Sequence, residues 1–279
     1  MTQKQRIDVL LVEQGLAPSR EKARALIMAG AVYIGCQQVD KPGMRVLSDA
    51  PVTVKGATLR YVGRGGLKLE HALHTFGVDC TDRVVLDIGA STGGFTDCVL
   101  AHGAQYVYAL DVGHNQLAWS LRTDARVCVM EKTHFLRCDL DGFSARPPTL
   151  IVADVSFISL RLLIARIAQL LPDDGAFIGL IKPQFEALPA DVGARGIVSD
   201  ARVHRTVLRI VIAAMARVHL GVRALTHSPI TGAKGNIEFI VHATKTTHSF
   251  VWAQRWVGQE VQRVVSEAHA QLNRCMEKE

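Results

Sequence analysis

The chain has 279 residues, enough for one ordinary domain with a small companion. Its 48% hydrophobic and 21% charged composition, without low-complexity tracts or short repeats, excludes disorder and solenoid architectures. The net charge of +6 is local: Met1 to Lys68 holds 11 Lys and Arg against 5 Asp and Glu, and the remainder is balanced. That surplus points to an anionic partner for the first quarter of the chain, nucleic acid or an acidic membrane surface, with a merely solvated basic face as the plainer alternative.

Ile7, Leu10 and Leu11 recur at helical spacing. A second helix is expected from Ser19, which can cap it, with Ala23, Leu26 and Ile27 apolar and Gly30 ending it. Arg20, Lys22 and Arg24 make one surface of this helix basic. Two short strands follow, AVYIG and PVTVKG, joined through the turn-forming Lys41-Pro42-Gly43. Residues 1–60 therefore read as a small basic α+β domain and residues 61–68 as a Gly-rich joint.

After Asp82 apolar strands alternate with helices in VVLDIGA, YVYALDV, RVCVM, LIVADVSF and GAFIGLIKP, the pattern of a doubly wound, mostly parallel Rossmann-like sheet over residues 69–246. ALTHSP and NIEFIVHAT could pair as a terminal hairpin, and residues 247–279 form one amphipathic helix. The N-terminus lacks an apolar signal core, and the apolar stretch 207–222 is broken by Arg209, Arg217 and His219. A cytoplasmic protein without stable membrane insertion is expected.

VVLDIGA runs directly into STGGFTD, so Gly89, Ser91, Gly93 and Gly94 sit where a strand turns into a helix and a ligand can approach bare backbone. Asp111, ending the next strand, is placed to bind ribose hydroxyls. A dinucleotide site would want GxGxxG, whereas here Ala90 or Ser91 takes the second glycine position. Asp87 before the turn would repel phosphate but suits the ammonium or sulfonium of S-adenosylmethionine. Asp154 and Lys182 end later strands and face the same crevice, while Lys68 and Glu238 could join them only through tertiary folding. The six cysteines form no CxxC pair, and His71, His74, His114 and His204 have no third ligand at metal spacing, so no metal is expected.

GRGGLKL, DIGASTGGFTD, ADVSFISL, IKPQFE and GNIEF, in this order, resemble the TlyA family, relatives of FtsJ-type ribose methyltransferases that have also been called hemolysins. The N-terminal segment resembles a small RNA-binding domain shared with pseudouridine synthases and a ribosomal protein. The resemblance implies a catalytic tetrad at Lys68, Asp154, Lys182 and Glu238, S-adenosylmethionine as methyl donor, and a cytidine ribose of small- or large-subunit ribosomal RNA as acceptor. Arg6, Arg20, Lys22, Arg24, Lys41 and Arg64 would contact RNA. Three positions depart from the family pattern: Gly63 in place of Ser, IGC in place of a VNG-like turn, and His134 in place of Asn. Lys182 could act as a base or could orient the hydroxyl while proton loss follows transfer. Two other readings are a noncatalytic ribosomal-RNA-binding assembly factor and a membrane-active hemolysin.

Overall fold

The computed structural model describes residues 4–28, 30–34, 37–54, 60–232, 235–246 and 254–276. Gly35 and Cys36 of the IGC segment, the residues before the joint at 55–59, and 247–253 and 277–279 of the expected tail helix lie outside the described residues.

The N-terminal unit runs β1 (Lys4–Arg6), α1 (Ile7–Glu13), α2 (Arg20–Met28), β2 (Val32–Ile34), β3 (Gln37–Gln38), β4 (Arg45–Leu47) and β5 (Val52–Val54). β1 pairs antiparallel with β4, and β2 lies between β3 and β5. Its helices exist because their apolar stripe has somewhere to go: Ile7, Leu10, Leu11, Ala23 and Ile27 close over Val32, Val46 and Val52. Ser19 Oγ accepts from Lys22 N at 3.1 Å, capping α2, and Gly30 ends the helix in a left-handed conformation.

The larger unit contains α3 (Gly65–Phe76), β6 (Val84–Ile88), α4 (Gly94–Ala101), β7 (Tyr106–Leu110), α5 (Trp119–Arg122), β8 (Val127–Met130), β9 (Leu150–Ala153), α6 (Arg161–Leu170), β10 (Ala176–Ile181), α7 (Pro183–Glu186), α8 (Ala201–Ala216), β11 (Leu220–His227), β12 (Phe239–Lys245) and α9 (Gln254–Met276). The sheet order is β11-β12-β10-β9-β6-β7-β8, with β12 antiparallel to both neighbours and the pairings among β10, β9, β6, β7 and β8 all parallel. The order reverses between β6 and β9, the switch point at which open α/β sheets bind ligands. Alternate residues of each central strand feed two cores. Val85, Leu150, Val152 and Ile178 pack toward α3 and α4, whereas Leu86, Ile151 and Phe177 pack toward α6, α8 and α9.

The expected hairpin is present as β11 and β12. The Gly-rich joint is more ordered than its composition implies. Tyr61 is buried in the core and donates to Glu70 at 2.9 Å, and α3 begins at Gly65, so Lys68 sits inside a helix.

Candidate functional site

The crevice at the carboxyl ends of β6, β7 and β9 is two connected cavities sharing Gly89, Ser91, Asp154 and Ser156. The outer one, of about 610 Å3, has apolar walls from Ile88, Leu110, Phe135, Ile158 and Leu163, with Asp111, Gln116 and His134 as polar groups. Its size lies within the roughly 300–1,000 Å3 usual for small-molecule sites. The inner one, of about 190 Å3, ends at Lys182 and is also bounded by Arg64, Phe95 and Met28, the last contributed by α2 of the N-terminal unit.

The turn after β6 explains why glycine stands where it does. Gly89 has φ +86°, and a Cβ there would meet the Asp154 carbonyl oxygen at 2.8 Å. At Gly94 a Cβ would sit 3.0 Å from Gly66 N and 3.1 Å from Gly63 O, and one at Gly63 would strike Thr92 Oγ1 at 2.7 Å. α3 and α4 therefore meet backbone to backbone, and the serine usual at position 63 would require Thr92 to move.

Asp111 follows β7 and accepts from Ser91 N at 2.8 Å and Gly113 N at 2.6 Å, which fixes its carboxylate on the outer cavity wall. Glu131 acts one layer back. It accepts from the backbone of Asn115, Gln116 and Leu117 and from Arg122, and although burial opposes ionisation, these bonds bring its carboxyl down to about 2. It positions the loop that carries Gln116 into the cavity wall.

Asp87 departs from expectation. It is fully buried beneath the turn, lines neither cavity and accepts from Thr96 Oγ1 at 2.7 Å through Oδ2, while Oδ1 has no partner. Burial, helped by the negative charges of Asp154 and Asp111, raises its carboxyl to about 7. Its position supports the turn from below rather than meeting a ligand.

The four residues separated by up to 170 positions in sequence converge at the inner end. Lys182 Nζ lies 2.6 Å from Asp154 Oδ1 and donates to Ser156 Oγ at 2.9 Å; Lys68 Nζ lies 3.8 Å from Asp154 Oδ2 and donates to Glu238 Oε2 at 2.5 Å. The result is a continuous line Glu238–Lys68–Asp154–Lys182–Ser156. Lys68 is 4% exposed, Glu238 3% and Lys182 8%. Burial raises Asp154, but the two ammonium groups outweigh it and hold the carboxyl below its ordinary value. Topology brings in Glu238: β12 runs antiparallel to β10 with Phe239 opposite Ile181, so the residue before β12 lies beside the residue after β10. Ser156 and Phe157 were not singled out in the sequence, although both stand in ADVSFISL. Phe157, 92% exposed with φ +64°, lines the outer cavity and contacts Phe185 at a ring separation of 5.3 Å.

The basic residues separate into three groups. Arg6 and Arg20 both bind the buried Asp8, at 2.9 and 3.2 Å, and hold its carboxyl below the ordinary range, so part of their charge is committed to the N-terminal core. Lys22 and Arg24 line a groove of about 900 Å3 between the two units, with Arg60, Arg122 and Trp119 on the opposite side; Lys41 is exposed. Arg64 lines the inner cavity. His74, to which sequence spacing gives no metal-site companions, has ligand atoms of Glu70 and His102 within 4.8 Å, because α3 and α4 pack side by side.

A switch-point crevice with a strand-end carboxylate and a Gly-rich turn defines a nucleoside-binding α/β domain, here attached to a small helical-and-stranded N-terminal domain. Residues 61–245 match the FtsJ-like methyltransferase family and residues 5–52 the S4 domain. The chain is 38% identical to the 16S/23S rRNA (cytidine-2'-O)-methyltransferase TlyA of Mycobacterium tuberculosis, over 96% of this chain and 99% of the relative. It is 49% identical to YqxC of Bacillus subtilis, provisionally named an rRNA methyltransferase, over 97% and 96%. A solved structure from Streptococcus thermophilus, provisionally named a hemolysin, superposes with TM-score 0.78 at 42% identity, covering 99% of this chain and 100% of that one. The chain belongs to the TlyA family of FtsJ-like methyltransferases. Among the described residues no helix is long and apolar enough to cross a membrane.

Proposed function

We propose that this protein transfers the methyl group of S-adenosylmethionine to a ribose 2'-hydroxyl of ribosomal RNA, a cytidine in the small or large subunit. The observation that carries the reading is the buried line Glu238–Lys68–Asp154–Lys182, which ends in the inner cavity where it opens from the nucleoside-sized outer one.

The crevice fits the donor. Bare backbone at Gly89, a fixed carboxylate at Asp111 and apolar walls suit a nucleoside, and the turn has Ser91 where a dinucleotide GxGxxG turn has its second glycine. Ser91, Asp111, Gln116 and His134 would hold the nucleoside, with Gly89, Gly93 and Gly94 shaping the turn and Asp87 supporting it. When bound, S-adenosylmethionine supplies a methyl group activated by its sulfonium.

Lys182 does the positioning. Its ammonium donates to Ser156 and is paired with the Asp154 carboxylate at 2.6 Å, and it keeps donor capacity for an oxygen in the inner cavity. Asp154, held ionised by both lysines, is a poor proton acceptor, which favours Lys182 as the group that orients the hydroxyl oxygen. The hydroxyl oxygen would bond to the methyl carbon while the carbon–sulfur bond breaks with its electron pair left on sulfur, and the hydroxyl proton would leave to solvent as or after that bond forms. Glu238 and Lys68 keep Asp154 in place. The N-terminal domain and the groove bearing Lys22, Arg24 and Arg60 would hold RNA phosphates, with Arg6, Arg20, Lys41 and Arg64 contributing charge at its margins.

The test is transfer of labelled methyl from S-adenosylmethionine to small subunits, large subunits and naked ribosomal RNA, followed by complete nuclease digestion. Label recovered as a 2'-O-methylnucleoside is expected. Label on a base, or on protein alone, overturns the reading.

A further inference from the structure

We propose that Glu70, His74 and His102 form a binding site for a divalent transition metal, zinc being the best match, that clips α3 to α4 on the side away from the methyl-transfer cavity. One ligand atom from each residue lies within 4.8 Å of the others. Ligands of a tetrahedral zinc, bonded at about 2.0–2.1 Å, stand roughly 3.3–3.5 Å apart. Closing that difference asks for a small rotation of His74, which is exposed and has room to turn.

Two features go beyond proximity. His102 stands at the C-terminal end of α4, and its Nδ1 lies 2.8 Å from the Cys98 carbonyl oxygen. A carbonyl only accepts, so Nδ1 carries the hydrogen, and Nε2 is left with the lone pair a metal needs. This is the outer-sphere arrangement that fixes a metal-binding imidazole in one tautomer. Glu70, in turn, receives Tyr61 Oη and the Arg60 guanidinium both on Oε1, so Oε2 can serve as a ligand without breaking either contact. The rings of His74 and His102 already meet edge to face, with centroids 5.9 Å apart.

The site cannot share the methyl-transfer chemistry, and helix geometry says why. At about 100° per residue, Glu70 and His74 project from α3 roughly 200° and 240° around from Lys68, which faces Asp154 and Glu238. A metal here would tie the helix that bears Lys68 to the helix that starts at the Gly94 turn, and would hold their close backbone contact. Three protein ligands and nitrogen-oxygen chemistry suit zinc, with cobalt(II) as a spectroscopic substitute. Magnesium and calcium, which prefer all-oxygen shells, are disfavoured.

The experiment uses the full, untagged chain dialysed against a chelator and titrated calorimetrically with zinc chloride. One saturable site per chain is expected, weakened at least tenfold in H74Q and in H102Q and unchanged in H114Q, which alters an exposed histidine outside the cluster. Zinc should raise the melting temperature of the wild type and leave those of H74Q and H102Q unmoved. Cobalt(II) should give visible absorption bands in the wild type that both variants lose. No saturable site in the wild type, or zinc binding that survives both substitutions, overturns the proposal.

Discussion

The pair Lys68–Glu238 can be taken apart in a way that separates its two duties. Lys68→Met keeps the length of the side chain but leaves the Glu238 carboxylate, 3% exposed, without the ammonium 2.5 Å away. Breaking one side of a buried ion pair costs about 3–5 kcal/mol. For a unit of this size about 2–4 °C of melting temperature accompanies each kcal/mol, so a fall of roughly 6–20 °C is expected by thermal denaturation. Adding Glu238→Gln removes the stranded charge, and most of the lost stability should return. Methyl transfer should not return, because Asp154 would still lack the second cation that, with Lys182, keeps it ionised and aligned. A single variant that melts like the wild type would refute the energetic reasoning. A double variant that recovers both stability and rate would refute the role given to Lys68.

Asp87 gives a pH signature. Burial raises its carboxyl from the ordinary 3.8 to about 7, so between those values the folded chain keeps a proton that the unfolded chain has released. Its contribution to stability is complete below the unfolded value and is lost as pH rises through about 7; Asp87→Asn should flatten that decline in denaturant titrations run across the interval. Asp111→Ala removes an acceptor shared by two backbone N–H groups and the expected ribose partner, and should weaken S-adenosylmethionine binding at least about tenfold by calorimetry, since bonds to charged groups contribute about 1.5–3 kcal/mol. Replacing Lys22 and Arg24 together by alanine should weaken binding to ribosomal RNA and reduce the log-log salt slope by about 1.5, at roughly 0.7–0.9 per phosphate contact, while cofactor affinity stays unchanged.

Much of the fold was legible because each signal was local. The continuous apolar strands alternating with helices and the Ser19 cap name their structures without tertiary information. Asp154 and Lys182 were legible as strand-end residues on the same grounds. The meeting of Lys68 and Glu238 with them was not, since it depends on the antiparallel insertion of β12 and on a helix beginning inside the Gly-rich joint. Asp87 was misjudged for a related reason: an acid just before a turn reads as facing a ligand, and only the packing of Thr96 against it shows that it faces inward. Glu70, His74 and His102 could not be grouped, because the third ligand comes from a neighbouring helix. Arg6 and Arg20 looked free, but the acid they bind, Asp8, is buried among apolar residues of the same helix.

Lys182→Ala, assayed by single turnover at saturating S-adenosylmethionine with ribosomal particles as acceptor, bears most directly on the account, because Lys182 lines the inner cavity and binds Asp154 at 2.6 Å. The account predicts S-adenosylmethionine binding within twofold of the wild type and a fall in alkali-resistant, ribose-linked label of at least about a hundredfold, the scale on which misplacing a reacting group acts. A variant that binds the donor and labels the same ribose at the wild-type rate would contradict it.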